Sequence, residues 1–593
     1  MRTLILLFFV TTLTFGQTNS YHISFENAGH HEAKVKVTFP ELEQEELTIR
    51  MSRTSPGRYA LHEFVKNVYN LKATNSAGET LKITRPDPYS WTIQDHDGTV
   101  HLEYTLFGNR ADGTYVQIDQ THAHLNIPAT FIYAEELQKR PINVTFDTED
   151  FPNWKIATQL KHEKGNTYSA PDLYYFMDSP TELSDHAIRE VKLDGQTVKF
   201  ALHGPATEAE FDQYFEQVKS VVEQEKNVFG ELPEFEFGTY TFIACYLPHA
   251  SGDGMEHRNS TILTSSRTLG EGGIKGNIGT VAHEFFHTWN VERIRPQDLE
   301  PFDFTEADMS GLLWFAEGFT SYYTPLTLVR AGIIDEEEYV KGLNGTFNYV
   351  WNSPARQYFN PIEMSYRAPF VDAATSVDPV NRENTFISYY SYGSMLGLAL
   401  DLQLRQKGQN LDEFMKILWK QYGQSGNPYT LKDLETTLAD YAGKEFASDF
   451  FSNCIYNSKM PDFDNLFRSV GLKMERASEK AFFGTSVDTD DEGIYISENP
   501  RQNTPAYKAG LDLGDRILSV NNVQVSSTAD WNDLFLEAKP NDTLELEMER
   551  FGNRIKRTVR LENDPTYVIS VDQKASSQTK RARVKWLGSQ RLK

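Results

Sequence analysis

Apolar and polar positions alternate along the N-terminal part of the chain. The stretches "YHISFENAGHHEAKVKVTF", "TVHLEYTLFG" and "TYVQIDQTHAHLNI" all show the period of two expected of half-buried strands. Turn signals such as "SPGR", "NSAGE" and "RADGT" separate them. Residues 20 to about 190 are therefore predicted to be mostly β. From about 205 to 465 the period lengthens to that of helices, as in "EAEFDQYFEQVKSVVEQEKNVFG" and "GSMLGLALDLQLRQKG". Gly230 and Gly408 stand where helix C-termini fall. Short strands return from about 470 to 565. Lys574 to Lys593 carries seven Lys and Arg and no acid, and is read as a solvated basic tail or a terminal strand.

At 593 residues the chain exceeds one hydrophobic core and predicts several domains. A net charge of −25 argues against nucleic acid as a partner, because phosphate binding needs clustered Lys and Arg. The start, "MRTLILLFFVTTLTFGQTNS", has a basic residue and then an apolar run too short to span a bilayer. Residues 1–16 are read as a secretory signal peptide with Gln17 as the mature start, so the protein is expected to be exported, periplasmic or extracellular, with no stable membrane span. Cys245 and Cys454 are too few for a disulfide framework or a thiolate metal site. Any metal must be held by His and carboxylates.

Such a set is present. "GTVAHEFFHTWNVERIRP" spaces His283 and His287 four apart. If 278 to about 291 is helical, both imidazoles share one face and can meet one zinc ion. A third ligand is offered by Glu317 in "GLLWFAEGFTSYY", thirty positions beyond His287, where a carboxylate among aromatic residues is costly to bury without a positive partner. Glu284 points about 100° away from His283 and can act instead as general base toward a zinc-activated water. Tyr389, Tyr390 and Tyr392, beside Gly393, are candidates to stabilise a developing oxyanion.

The order "VAHEFFHTWNVERIRP", "LLWFAEGFTSYY", "YYSYGSMLGLALDL" resembles the glycyl aminopeptidase family of gluzincin zinc metallopeptidases with a C-terminal PDZ domain. The resemblance implies His283, His287 and Glu317 as ligands of one zinc ion per chain, with Glu284 catalytic. More distant aminopeptidase N relatives place a tyrosine three positions before a glycine, which favours Tyr390, ahead of Gly393. They space the third ligand more closely than this chain does. They also hold the substrate's α-amine with the Glu of a Gly-x-Met-Glu-Asn motif. Here Gly254, Met255 and Glu256 match and His257 replaces the Asn, so Glu256 is the substrate-binding candidate. Asn290, Arg293 and Arg295 follow the zinc helix, and the two arginines are read as structural.

The stretch "GIYISENPRQNTPAYKAGLDLGDRILSVNNVQV" resembles a PDZ domain, with "AFFGTS" where a carboxylate-binding loop would lie. The predicted fold class is multidomain. It comprises a signal peptide (1–16), an N-terminal all-β domain (17–195), a thermolysin-like, mainly α catalytic domain (196–465), a β-rich PDZ domain (466–565) and a basic C-terminal tail (566–593). The expected function is zinc-dependent removal of N-terminal residues, glycine or alanine by resemblance, from peptide substrates. A C-terminal peptide is one expected ligand of the PDZ domain; because "AFFGTS" departs from the usual Gly-Leu-Gly-Phe form, a purely structural or autoinhibitory module is the equal alternative. The alternatives are a zinc endopeptidase and a PDZ-bearing binding protein on an inactive peptidase scaffold.

Overall fold

The computed structural model describes residues 17–371 and 378–588; the signal-peptide expectation lies outside the described residues, as does the end of the basic tail. The chain divides into two compact units. The first comprises residues up to 215 with 234–277 and 302–307, and the second comprises 216–233, 278–301 and 308 onward.

The first unit is built on β-sheets, as the alternation requires. A seven-stranded sheet runs through Asn19–Ser24, Glu32–Phe39 and Val100–Phe107. Its registers put Tyr21 opposite Val37 and Val35 opposite Tyr104, so one apolar face enters the core while Lys34 and Lys36 face outward. Two four-stranded sheets complete the N-terminal part. A five-stranded sheet follows, in the order Ala187–Leu193, Gln196–His203, Thr239–Tyr246, Ser260–Ser265, Asp253–His257. Its first two strands pair across the expected boundary at 195/196. Asp194 and Gly195 both take positive φ, the conformation of a two-residue hairpin turn, so that boundary falls inside a hairpin.

In the second unit, helices carry the chemistry. They are α1 (Glu208–Phe229, most of which belongs here), α2 (Ile278–Phe286), α3 (Leu313–Arg330), α4 (Glu336–Trp351), α5 (Tyr389–Gln406) and α6 (Ser577–Leu587). Gly230 follows α1 with φ of 94°, as expected of a helix stop. α2 ends earlier than the predicted 291. The chain tightens after Phe286, where Thr288 N–H donates to Phe285 C=O (3.0 Å).

Beyond the helices, strands Leu472–Arg476 and Tyr567–Val571 pair antiparallel. Between them stands a sheet containing Val487–Asp490, Gly493–Ile496, Arg516–Val520, Thr543–Arg550 and Asn553–Arg560, with the helix Thr528–Glu537. Its core holds Ile494, Ile517, Trp531, Leu546 and Met548. The basic tail is only partly solvated over its described part. Tyr567–Val571 is hydrogen-bonded to the Asn344 and Asn348 side chains of α4, and α6 buries Trp586 and Leu587 completely. Only one side of α6 is basic and exposed; Arg583, on the other, bonds Glu336 and the Val470 and Gly471 carbonyls. Among the described residues no helix is long and apolar enough to cross a membrane. Cys245 and Cys454 are buried free thiols.

Candidate active site

The motif helix α2 is gripped by aromatic rings. Phe286 stacks on Tyr323 of α3 (4.6 Å between centroids), and Trp289 stacks on Phe229 at the end of α1 (4.7 Å). Ile278, Val281 and Phe285 are buried on the same helix, which fixes its rotation. His283 and His287 are therefore aimed at a single point. Their Nε2 atoms lie 3.2 Å apart. Glu317, on α3, places Oε2 at 3.5 Å from His283 Nε2 and 3.2 Å from His287 Nε2.

The far side of each ring determines what this point can hold. His287 Nδ1 lies 2.6 Å from the Asn290 carbonyl, which can only accept, so Nδ1 carries the proton. The Thr324 hydroxyl already donates to the Thr320 carbonyl (2.9 Å) and therefore accepts from His283 Nδ1 (3.2 Å). When the rings are neutral, both Nε2 atoms thus present lone pairs toward each other and toward a carboxylate. Three acceptors buried together repel unless a cation sits among them. Two donors about 2.0–2.1 Å from one tetrahedral ion lie about 3.4 Å apart, which matches the observed separations. Burial pushes the His283 imidazole below its ordinary pKa. Burial pushes the Glu317 carboxyl up, but positive charge at the adjacent imidazoles, a proton there in place of a metal ion, outweighs it and holds the group well below the carboxylate range. The set fits a zinc-class ion.

Asn290 ties the ligands together. Fully buried, it gives its carbonyl to His287 and its amide to the Ala316 carbonyl (3.0 Å) and the Thr320 hydroxyl (3.2 Å). Arg293 donates to the Thr288 carbonyl (2.9 Å) and Arg295 pairs with Glu300 (2.6 Å), in keeping with the structural reading of both. Sequence reasoning missed Thr320 and Thr324, whose signal was a hydroxyl one turn and two turns beyond Glu317. It also missed Glu225, a fully buried acid on α1 whose carboxyl burial pushes well above the ordinary range.

Glu284 is buried on α2 beside His283. Of the three candidate tyrosines, Tyr389 and Tyr392 are each 1 % exposed. Tyr390 is half-buried and its ring lies 5.9 Å from that of His283. It is brought there by the contact of α3 with α5. A β-carbon on Gly393 would lie 2.7 Å from Gly318 Cα and nearer still to the Trp314 carbonyl oxygen. The two glycines let the helices touch backbone to backbone, one residue from Glu317 and three from Tyr390. Gly393→Ala is expected to force them apart at a cost of about 1–3 kcal/mol, read as a lower melting temperature together with weaker zinc retention. Glu256 lies in the first unit, buried on the edge strand Asp253–His257. His257, where the relatives have Asn, places Nδ1 2.8 Å from Asp178 and is an internal structural contact.

Comparison with known proteins agrees with this architecture. Residues 20–185 match the Peptidase M61 N-terminal domain, 276–396 match the M61 glycyl aminopeptidase domain and 481–561 match a PDZ domain. No curated protein matches the sequence. Among solved structures, an aminopeptidase N family protein from Idiomarina loihiensis superposes with a TM-score of 0.84 at 24% identity, covering 96% of this chain and all of that one, a likeness of fold. A mutant M1 zinc metallopeptidase from Deinococcus radiodurans, bound to a Tyr-Ser-Ala substrate, gives 0.45 at 14% identity over 75% of this chain and 95% of that one. Legionella pneumophila aminopeptidase A, in complex with aspartic acid, also gives 0.45, at 12% identity over 95% of this chain and 60% of that one. His283, Glu284, His287, Glu317 and Tyr390 all fall within the matched catalytic segment, the M61 N-terminal domain precedes it and a PDZ domain follows, so the chain carries an M61 glycyl aminopeptidase domain between its two characteristic neighbours.

Proposed function

We propose that the protein is an exported zinc aminopeptidase that removes N-terminal residues, small ones such as glycine or alanine, from peptides. The observation that carries this reading is the convergence of two imidazole Nε2 atoms and the Glu317 carboxylate on one buried point. One zinc ion held by His283, His287 and Glu317 would polarise the scissile carbonyl and acidify the attacking water. Glu284 takes the proton of that water and returns it to the leaving amine. The Tyr390 hydroxyl donates a hydrogen bond to the carbonyl oxygen as negative charge develops on it. Glu256 pairs with the substrate's α-ammonium, which makes the enzyme count from the N-terminus.

The PDZ domain takes a C-terminal peptide along Val487–Asp490, the end strand of its sheet, with the Phe483–Gly484 turn as carboxylate loop. Export rests on residues 1–16.

The test is a digest of a peptide library with matched free and N-acetylated members, read by mass spectrometry. Free peptides should lose one N-terminal residue at a time, acetylated ones should remain intact, and a chelator should abolish both the zinc content and the cleavage. Cleavage inside acetylated peptides would make the protein an endopeptidase. Binding of C-terminal peptides with no cleavage at all would make it a binding protein.

A further inference from the structure

A second cluster of metal-ligating side chains lies in the first unit, away from the motif helix in sequence. His122 opens the strand His122–Leu125 and is fully buried. Asp119 lies in the turn before it, and His249 lies in the exposed loop after Thr239–Tyr246. One ligand atom from each falls within 4.8 Å of the others. The buried Nε2 of His122 makes no hydrogen bond of normal length. It faces Asp119 Oδ2 at 3.5 Å, the same separation as His283 Nε2 from Glu317 Oε2. That is long for a hydrogen bond and close to the spacing of two donors on one ion; Asp119 Oδ2 also accepts from Gln117 Nε2 (3.2 Å).

The surroundings hold both groups in this attitude. His122 Nδ1 donates to Glu182 Oε1 (3.1 Å), which leaves Nε2 as the lone-pair nitrogen in the neutral ring. The other Glu182 oxygen accepts from His124 Nδ1 (3.0 Å), so Glu182 cannot turn away. Asp119 Oδ1 accepts from Thr121 N–H (2.7 Å) and the Thr121 hydroxyl (2.6 Å), which turns Oδ2 toward His122. The His203 ring stacks on His122 at 4.7 Å and blocks rotation. The loop bearing His249 is fastened by Ser251 N–H to the Ala111 carbonyl (3.0 Å).

We propose that Asp119, His122 and His249 form a second divalent-metal site of the zinc class, pinning the 119–121 turn to the 247–251 loop. Two imidazoles and one carboxylate are borderline donors that favour zinc over calcium or magnesium. His249 is exposed, so water completes the coordination. The rival occupant of Nε2 is a proton. Burial opposes a charge on His122, but Glu182 and Asp119 outweigh it, so the point attracts a cation of either kind.

The experiment is zinc stoichiometry by elemental analysis. The purified full-length protein is loaded with zinc chloride and passed into metal-free buffer. His249→Ala touches only an exposed ligand, and Glu317→Gln weakens the motif site. The wild type should retain about two zinc ions per chain and His249→Ala about one. Zinc should raise the melting temperature of Glu317→Gln but not of the Glu317→Gln/His249→Ala pair. Equal zinc in the wild type and His249→Ala would overturn the second site. A failure of the peptidase reading alone looks different: the wild type and Glu317→Gln then hold the same amount and His249→Ala holds none.

Discussion

Glu284→Gln should lower kcat about 10²–10⁴-fold, or about 3–5 kcal/mol in the barrier, with zinc content and melting temperature unchanged. The amide is isosteric with the carboxylate and fits the same buried place on α2. It lacks only the ability to accept a proton. The ligands should be untouched, because Glu284 leaves the helix about 100° around from His283. Steady-state kinetics on a small N-terminal peptide, with metal analysis of the same sample, check the prediction. Undiminished kcat removes Glu284 from the base role. A loss of zinc in parallel with kcat would mean that it acts by shaping the ligand set.

The second large effect concerns the end of the chain. Trp586→Ala should destabilise the second unit by about 3–5 kcal/mol. The indole is fully buried and meets the Tyr339 ring edge-on at 5.5 Å. Its N–H donates to Tyr322 Oη (2.9 Å), and Tyr322 in turn donates to the buried Asp401 (2.6 Å). The Trp586 carbonyl accepts from Arg330 (3.1 Å), at the end of the helix that carries Glu317. Calorimetry should show the transition moving down, while Trp586→Phe, which keeps most of the packing and loses the hydrogen bond, moves it by about 1 kcal/mol of that. Equal melting of Trp586→Ala and wild type would mean that α6 is not part of the cooperative unit.

The convergence of His283, His287 and Glu317 was legible because its signals are local. Four-residue spacing puts two imidazoles on one helix face, and an acid amid Trp314, Phe315 and Phe319 asks for a positive partner. Tyr390 was not distinguishable from Tyr389 by composition. The choice came from resemblance, and the geometry that separates them depends on the Gly318–Gly393 contact between helices far apart in sequence. The 195/196 boundary had a contrary signal in "VKLDGQTVKF", where Asp-Gly between alternating segments marks a hairpin. The tail was misread because its charge masked a period: Arg583, Trp586 and Leu587 recur three and four apart on one face. Asp119, His122 and His249 could not be grouped from sequence, since only folding brings the third beside the first two.

The antiparallel pair Leu472–Arg476 and Tyr567–Val571 gives the PDZ domain an unusual attachment. The polypeptide leaves the peptidase, builds the whole module and returns beside its point of departure to finish the peptidase core with α6. The module is thus a graft on a two-stranded stem rather than an appendage. A stop codon placed just before it would strip the host of Trp586, whereas excision with a short turn joining the stem would leave the host complete.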